Sequence, residues 1–427
     1  MNCVKIEPNK LAGKINIPPS KSLSHRAIIC AALSTGESNI DNLLFSDDIN
    51  ATCEGMKNFG GELENIGERK LRIRGKFPLS LEKETIDCKE SGSTLRFLIP
   101  ISLLNDTKAV FVGTGKLVSR PLDTYYQIFE KQNISYSNNN GNLPLEVHGK
   151  IKSGIFEIEG NISSQFITGL MFTLPLLEGD SKIIITSELE SKGYVDLTID
   201  MLNRFGIEIT NNDYKEFLIK GNQKYLSRNY KIEGDFSQAA FWLVGGILGE
   251  EIQSENLNIA SLQGDRVVIN LIKEMGGDIV IKDNLVKSIA SQTKGITIDA
   301  SQCPDIVPIL TVLAALSEGE TRIINASRLR IKESDRLKAI STELNKLGAD
   351  VKELEEGLVI NGVESLTGGI VDSWNDHRIA MALAIASIKC TGNVTITNSD
   401  VVNKSYPHFW QDFKSLGGKI NEFNMGK

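Results

Sequence analysis

Cys303-Pro-Asp-Ile-Val-Pro-Ile-Leu-Thr-Val-Leu-Ala-Ala-Leu316 opens on a proline and an acid, then runs apolar on every side. A helix without a polar face belongs inside a core. At about three turns this one is far too short to cross a bilayer. The stretch decides the fold because it recurs. Segments with polar or small residues at the start and an apolar body begin near Ser22, Gly92, Ser164, Phe236, Asp305 and His377, at intervals of 70, 72, 72, 69 and 72 residues.

A second marker keeps step with the first. Amphipathic helix ends stop at Gly60, Asn133, Gly206, Gly276, Gly348 and Gly417, spaced by 73, 73, 70, 72 and 69 residues. Glycine and asparagine are the residues that tolerate the left-handed cap conformation. Two markers in phase predict six copies of one unit. Each copy reads as strand, buried helix, strand, amphipathic helix and two strands. The closing strands alternate polar and apolar residues, as in Lys70-Leu-Arg-Ile-Arg74 and Gly357-Leu-Val-Ile-Asn361.

The expected fold class is therefore α/β: a two-domain chain of six βαβαββ repeats, three per domain. The sixth copy is one strand short, and the spare strand is Cys3-Val-Lys-Ile-Glu7 at the other end of the chain. Residues 19–234 are expected to form one domain and residues 1–18 plus 235–427 the other. A two-stranded hinge would lie near 18–19 and 233–235.

The chain has 427 residues, a formal net charge of −7, 41% hydrophobic and only 6% aromatic residues. An acidic balance excludes a general nucleic-acid binder, and it makes local clusters of Lys and Arg informative. The six cysteines show no CxxC spacing and the four histidines are scattered, so neither a disulfide framework nor a zinc site is expected. A reducing cytosol fits best, and the amino terminus shows no apolar signal core.

Polar residues gather at the helix starts. Lys21-Ser22 with Arg26, Ser163-Ser164-Gln165 and Asn375-Asp-His-Arg378 open buried helices. Ser191, Lys332-Glu-Ser-Asp-Arg336 and Lys404 stand where amphipathic ones begin. Uncapped N–H groups beside Ser, Lys and Arg make an anion site. A cation in a first helical turn costs about 0.3–1 kcal/mol, so Lys21 asks for a compensating anion. Arg96, Arg120, Arg336 and Arg378 occupy matched positions and suit bidentate binding of carboxylate or phosphate. Each could equally be a structural ion pair. Asp305 and Glu333 are acids among these cations. Asp305 reads as a helix cap or a general base, and Glu333 as a partner of Arg336 at i,i+3 or a proton donor.

On these motifs the chain resembles the 5-enolpyruvylshikimate-3-phosphate synthases, the 3-phosphoshikimate 1-carboxyvinyltransferases. The resemblance rests on Pro19-Ser-Lys-Ser-Leu-Ser-His-Arg26, Leu117-Val-Ser-Arg-Pro121, Ser163-Ser-Gln165, Arg330-Ile-Lys-Glu-Ser-Asp-Arg336, Asn375-Asp-His-Arg378 and Lys404-Ser-Tyr-Pro-His-Phe409, in that order. It implies the two-domain inverse α/β barrel-like fold, its two similar domains closing over shikimate 3-phosphate and phosphoenolpyruvate, and a place in aromatic amino acid biosynthesis. Lys21, Ser22, Arg26, Ser163, Ser164, Ser191, Asp305 and Lys332 would hold the phosphoshikimate. Lys21, Gly92, Arg120, Gln165, Arg336, Arg378 and Lys404 would hold phosphoenolpyruvate. Asp305 would be the base at the 5-hydroxyl and Glu333 the acid at the methylene, with Lys21 assisting phosphate departure. The resemblance implies no metal or organic cofactor, and no nucleic-acid or membrane partner; a cytoplasmic monomer is expected.

Two positions depart from the common pattern. Many relatives read Asn-Ala-Gly-Thr-Ala-Met-Arg-Pro where this chain has Glu90-Ser-Gly-Ser-Thr-Leu-Arg-Phe97, which puts an acid beside the expected phosphoenolpyruvate site and bears on its competitor glyphosate. Arg328 stands where some members have Asn. The UDP-N-acetylglucosamine enolpyruvyl transferases share the fold but carry a loop Cys where this chain has Gly115, and Asn where it has Ser22. A non-catalytic anion-binding scaffold would have no use for Asp305, Glu333 and Lys404 together.

Overall fold

The six recurring segments form helices whose cap residues explain where each begins. In the computed structural model, which describes residues 1–426, Ser20, Ser91 and Ser163 accept with their hydroxyls from Leu23 N, Thr94 N and Gln165 N. Asp235 and Asp376 do the same with their carboxylates. Each such cap stabilises a helix by about 1 kcal/mol. The fifth copy differs: a 3₁₀ turn, Pro304–Ile306, precedes Val307–Ala315, and no side chain caps it. Asp305 thus lies in the turn ahead of the helix, and its carboxylate is used elsewhere.

The six helix-end residues Gly60, Asn133, Gly206, Gly276, Gly348 and Gly417 all adopt positive φ, between 54° and 98°. Each copy then closes with an antiparallel strand pair. Among the described residues six four-stranded sheets result, all in one order: first, second, fourth, third. In the second copy Thr85–Asp87 runs parallel to Ala109–Val112, which pairs antiparallel with Asn142–His148, itself antiparallel to Ser135–Asn139. A parallel pair needs a crossover, and Gly92–Ser102 supplies it.

Three strands come from outside their own copy. Asn2–Glu7 takes the fourth place in the sixth sheet, between Val394–Thr397 and Lys419–Asn424. Gly13–Asn16 is the first strand of the fourth sheet, parallel to Ile252–Glu255. Tyr230–Lys231 is the first strand of the first sheet, parallel to Gly36–Asp41. The last is two residues long and carries no sequence signal.

The chain divides into two compact units, Pro19–Ile232 and Met1–Pro18 with Glu233–Lys427. The second boundary falls two residues before the expected one. The reason is local: Glu233 accepts from Asn258 Nδ2 (2.7 Å) and Gln263 Nε2 (2.9 Å), and Gly234 N donates to Asn256 O (3.0 Å).

In the continuous unit the interior holds Lys21–Leu33, Gly92–Ser102 and Ser164–Thr173, the last two packed on each other. In the discontinuous unit Phe236–Leu248, Val307–Ala315 and His377–Ala386 pack together, buried along their length. The amphipathic helices, such as Asp47–Asn58 and Asp123–Gln132, bury only one face. The six cysteines are buried free thiols. Among the described residues no helix is long and apolar enough to cross a membrane.

Candidate functional site

The helix starts in the continuous unit carry one group of the expected residues. Ser20 caps Lys21–Leu33, so the half-buried Lys21 and Ser22 stand at its open end. Lys21 Nζ reaches Asp48 Oδ2 at 2.7 Å, in the first turn of Asp47–Asn58. Arg26 is buried one turn further in. Its Nε donates to Thr198 Oγ1 (2.9 Å), Nη1 to Ser22 O (2.8 Å), and Nη2 to Tyr194 O (3.1 Å) and Thr168 Oγ1 (3.4 Å). Those bonds engage four of the five guanidinium N–H groups and leave one on Nη1. Burial pushes its pKa down to about 10. Arg26 thereby ties its helix to Lys192–Arg204, which starts from Ser191 in a left-handed conformation (φ 55°).

The remaining members of this unit surround Gly92. A Cβ built there would lie 2.5 Å from Arg120 Nη1 and 3.1 Å from Arg96 Nη1. Without a side chain at Gly92 the two guanidiniums come this close to the helix start. Arg96 Nη1 donates to Gln165 Oε1 (2.9 Å), and Gln165 Nε2 donates to Ser93 Oγ (3.0 Å). Ser163 caps Ser164–Thr173 beside them. Glu90, the departure from the common pattern, has its carboxyl carbon 2.6 Å from where a Cβ on Gly115 would sit. Gly115 opens the turn that ends at Arg120.

The discontinuous unit brings its expected residues together around two carboxylates. Asp305 Oδ1 lies 2.9 Å from Arg336 Nη1 and 3.5 Å from Lys332 Nζ, and Oδ2 lies 3.2 Å from Arg378 Nη2. Glu333 Oε2 meets Arg336 Nη2 at 2.7 Å. Arg336 Nε and Nη2 also donate to Asp376 at 2.8 and 3.3 Å. With a side chain only 1% exposed and one N–H left on Nη1, Arg336 is the hub that holds three acids in place. Burial disfavours its charge, but Asp376, Glu333 and Asp305 outweigh that and raise its pKa above the usual arginine range. Lys404 Nζ donates to Asn375 O (2.7 Å) at the start of His377–Ala386. Arg328 is buried, with Nη2 on Ser301 O (2.8 Å). Burial lowers the Lys332 pKa, with Arg336 and Arg328 pushing the same way and Asp305 opposing.

Three residues belong to these clusters without having been assigned a part from sequence. Asp48 pairs Lys21, and Asp376 anchors Arg336 while capping Arg378 N (2.9 Å). Asp265 accepts from Ser237 Oγ at 2.5 Å, and burial together with the Asp305 charge pushes its pKa up to about 6. Asp376 lies in the Asn375-Asp-His-Arg378 motif, and Asp48 and Asp265 lie in the first turns of Asp47–Asn58 and of Gly264–Val267. What singled them out is a tertiary partner.

The family model described as EPSP synthase (3-phosphoshikimate 1-carboxyvinyltransferase) matches residues 6–413. The chain belongs to the EPSP synthase family. The 3-phosphoshikimate 1-carboxyvinyltransferase of Clostridium novyi (strain NT) is 62% identical over 435 residues, and that of Clostridium acetobutylicum 60% over 430, each match covering 100% of both chains. The solved EPSP synthase from Acinetobacter baumannii superposes with a TM-score of 0.84 at 25% identity, covering 99% of this chain and 100% of that one. The Asp305–Arg336–Asp376 cluster and the Gly92–Arg120 contact are thus features of an EPSP synthase family member.

Proposed function

We propose that this protein transfers the enolpyruvyl group of phosphoenolpyruvate to the 5-hydroxyl of shikimate 3-phosphate and releases inorganic phosphate, as a cytoplasmic monomer. The observation that carries the proposal is the Asp305 carboxylate, fixed among Lys332, Arg336 and Arg378 beside the partly buried Glu333. A carboxylate held by three cations has one orientation, which is what a base must have at a single substrate hydroxyl.

The roles follow from the chemistry. Lys21, Ser22, Arg26, Ser163, Ser164, Ser191 and Lys332 bind the phosphoshikimate with Asp305. Lys21, Gly92 N–H, Arg120, Gln165, Arg336, Arg378 and Lys404 bind phosphoenolpyruvate. Asp305 takes the proton of the 5-hydroxyl as its oxygen bonds to carbon 2, and Glu333 gives a proton to carbon 3. The tetrahedral adduct then loses phosphate through cleavage of the carbon–oxygen bond, the new methyl group returns a proton to Glu333 as the double bond re-forms, and the proton taken by Asp305 leaves with the phosphate. Lys21 neutralises the departing phosphate. Cations already in place stabilise developing charge without reorganising, and a bound pair of anions is held in reacting geometry.

The test is phosphate release by the purified protein. Release is expected with shikimate 3-phosphate and phosphoenolpyruvate together, and not with either alone. Release only when a UDP-amino sugar replaces phosphoshikimate would move the protein to the sister transferases. No release with either acceptor would leave an anion-binding scaffold.

A further inference from the structure

One imidazole and three hydroxyls form a continuous chain beneath the start of Lys21–Leu33. His25 Nδ1 lies 2.7 Å from Thr52 Oγ1, which lies 2.7 Å from Thr94 Oγ1. Thr94 Oγ1 in turn lies 2.7 Å from Ser91 Oγ and 3.4 Å from the Asp48 carbonyl. His25, Thr52, Thr94 and Ser91 are all fully buried.

The chain has a direction. Thr94 Oγ1 donates on the side of Ser91 Oγ (2.7 Å) and of the Asp48 carbonyl (3.4 Å), which can only accept. Thr52 is then the donor to Thr94, and it has no second hydrogen. His25 must therefore donate from Nδ1 to Thr52. Its other nitrogen, Nε2, has no hydrogen-bond partner among the described residues. That is the less costly arrangement, because a buried N–H without an acceptor is rarer than a buried acceptor without a donor. Burial, then Lys21 and Arg26, hold the imidazole pKa well below its usual value, so the ring stays neutral. Its edge meets the Phe97 ring, centroids 6.4 Å apart.

We infer that His25 is a positioning residue whose Nδ1–H tautomer, locked by the Thr52–Thr94–Ser91 hydroxyl chain, fixes the Lys21–Ser22 turn against the start of Gly92–Ser102. The middle helix, Asp47–Asn58, serves both ends: Thr52 takes the imidazole proton, and Asp48 pairs with Lys21. Apolar packing alone lets helices slide by fractions of an ångström. A string of short directional bonds across three helix starts does not, and catalytic geometry is sensitive on that scale.

The inference rests on the proposed roles of Lys21 and Gly92, so its experiment has an arm independent of turnover. The full-length protein is labelled with ¹⁵N-histidine, and the His25 signals are identified as those lost in His25→Gln. Wild type is expected to show a protonated Nδ1 and a bare Nε2 through neutral pH. Thr52→Val removes the acceptor at nearly constant shape; it should mix the tautomers and raise the Michaelis constants for both substrates by about tenfold, with kcat changing less. Thr52→Ser should restore both the tautomer and the constants. A protonated Nε2 in wild type overturns the inference. So does a Thr52→Val protein that loses the tautomer while keeping wild-type Michaelis constants. If wild type released no phosphate, the proposed function would fall first, and the tautomer would still decide whether the hydrogen-bond chain exists.

Discussion

Replacing Arg336 by methionine would remove one cation from three carboxylates, and the structure says how unequal the consequences are. Asp376 is the partner that matters, because its side chain is 0% exposed. It would keep Ser334 Oγ (3.0 Å) and Arg378 N (2.9 Å) but lose the Arg336 guanidinium, whose Nε lies 2.8 Å from its Oδ2. Asp305 and Glu333 are 17% and 19% exposed, so water can reach them in part. Breaking a buried pair from one side costs about 3–5 kcal/mol. In a unit of this size that lowers Tm by about 2–4 °C per kcal/mol, so calorimetry on the full chain should show a fall of about 10 °C in the transition of the discontinuous unit. The double variant Arg336→Met/Asp376→Asn should recover part of the loss, because no stranded charge remains. A loss below about 1 kcal/mol, or a double variant as unstable as the two single losses summed, would refute the hub.

Further outcomes follow from the same contacts. Gly92→Ala places a Cβ 2.5 Å from Arg120 Nη1 and must push the guanidinium aside by about 1 Å, which is expected to raise the Michaelis constant for phosphoenolpyruvate by about ten- to a hundredfold, with phosphoshikimate binding by calorimetry unchanged. Asp305→Ala should lower turnover by about a hundredfold or more while phosphoshikimate binding stays measurable; wild-type turnover would remove Asp305 from the chemistry. For Asp265 the folded pKa is raised to about 6 from 3.8, so its contribution is fully present below the lower value and is lost as pH rises through the upper one. Denaturant unfolding should show wild type losing about 3 kcal/mol relative to Asp265→Asn across that window; parallel pH profiles would contradict the assignment.

The repeat was legible because two of its demands are local. A helix buried all round must be apolar all round, and a helix ending in a left-handed turn must end in Gly or Asn; both leave their mark at every copy, from Gly60 to Gly417. The missing fourth strand could be inferred as a deficit at one end of the chain and a surplus at the other. Tyr230–Lys231 could not, since a two-residue strand has no periodicity. The site was legible at the level of residue type and position: Asp305, Lys332, Glu333, Arg336 and Arg378 do meet. Which of them contact each other was not. Arg336 and Asp376 are separated by 40 positions in sequence, and no spacing rule links them. Nor does a sequence say that Arg26 spends four donors on the protein itself, or that His25 has a preferred tautomer.

The account rests on which bond of phosphoenolpyruvate breaks. Phosphoenolpyruvate carrying ¹⁸O in its bridging position, incubated with shikimate 3-phosphate and the enzyme, decides it by mass spectrometry of the products. Attack at carbon 2 with loss of phosphate sends the label into inorganic phosphate and leaves none in the enolpyruvyl product. Label retained on the three-carbon fragment would mean that the phosphorus–oxygen bond had been cut, and the roles given to Asp305, Glu333 and Lys21 could not stand.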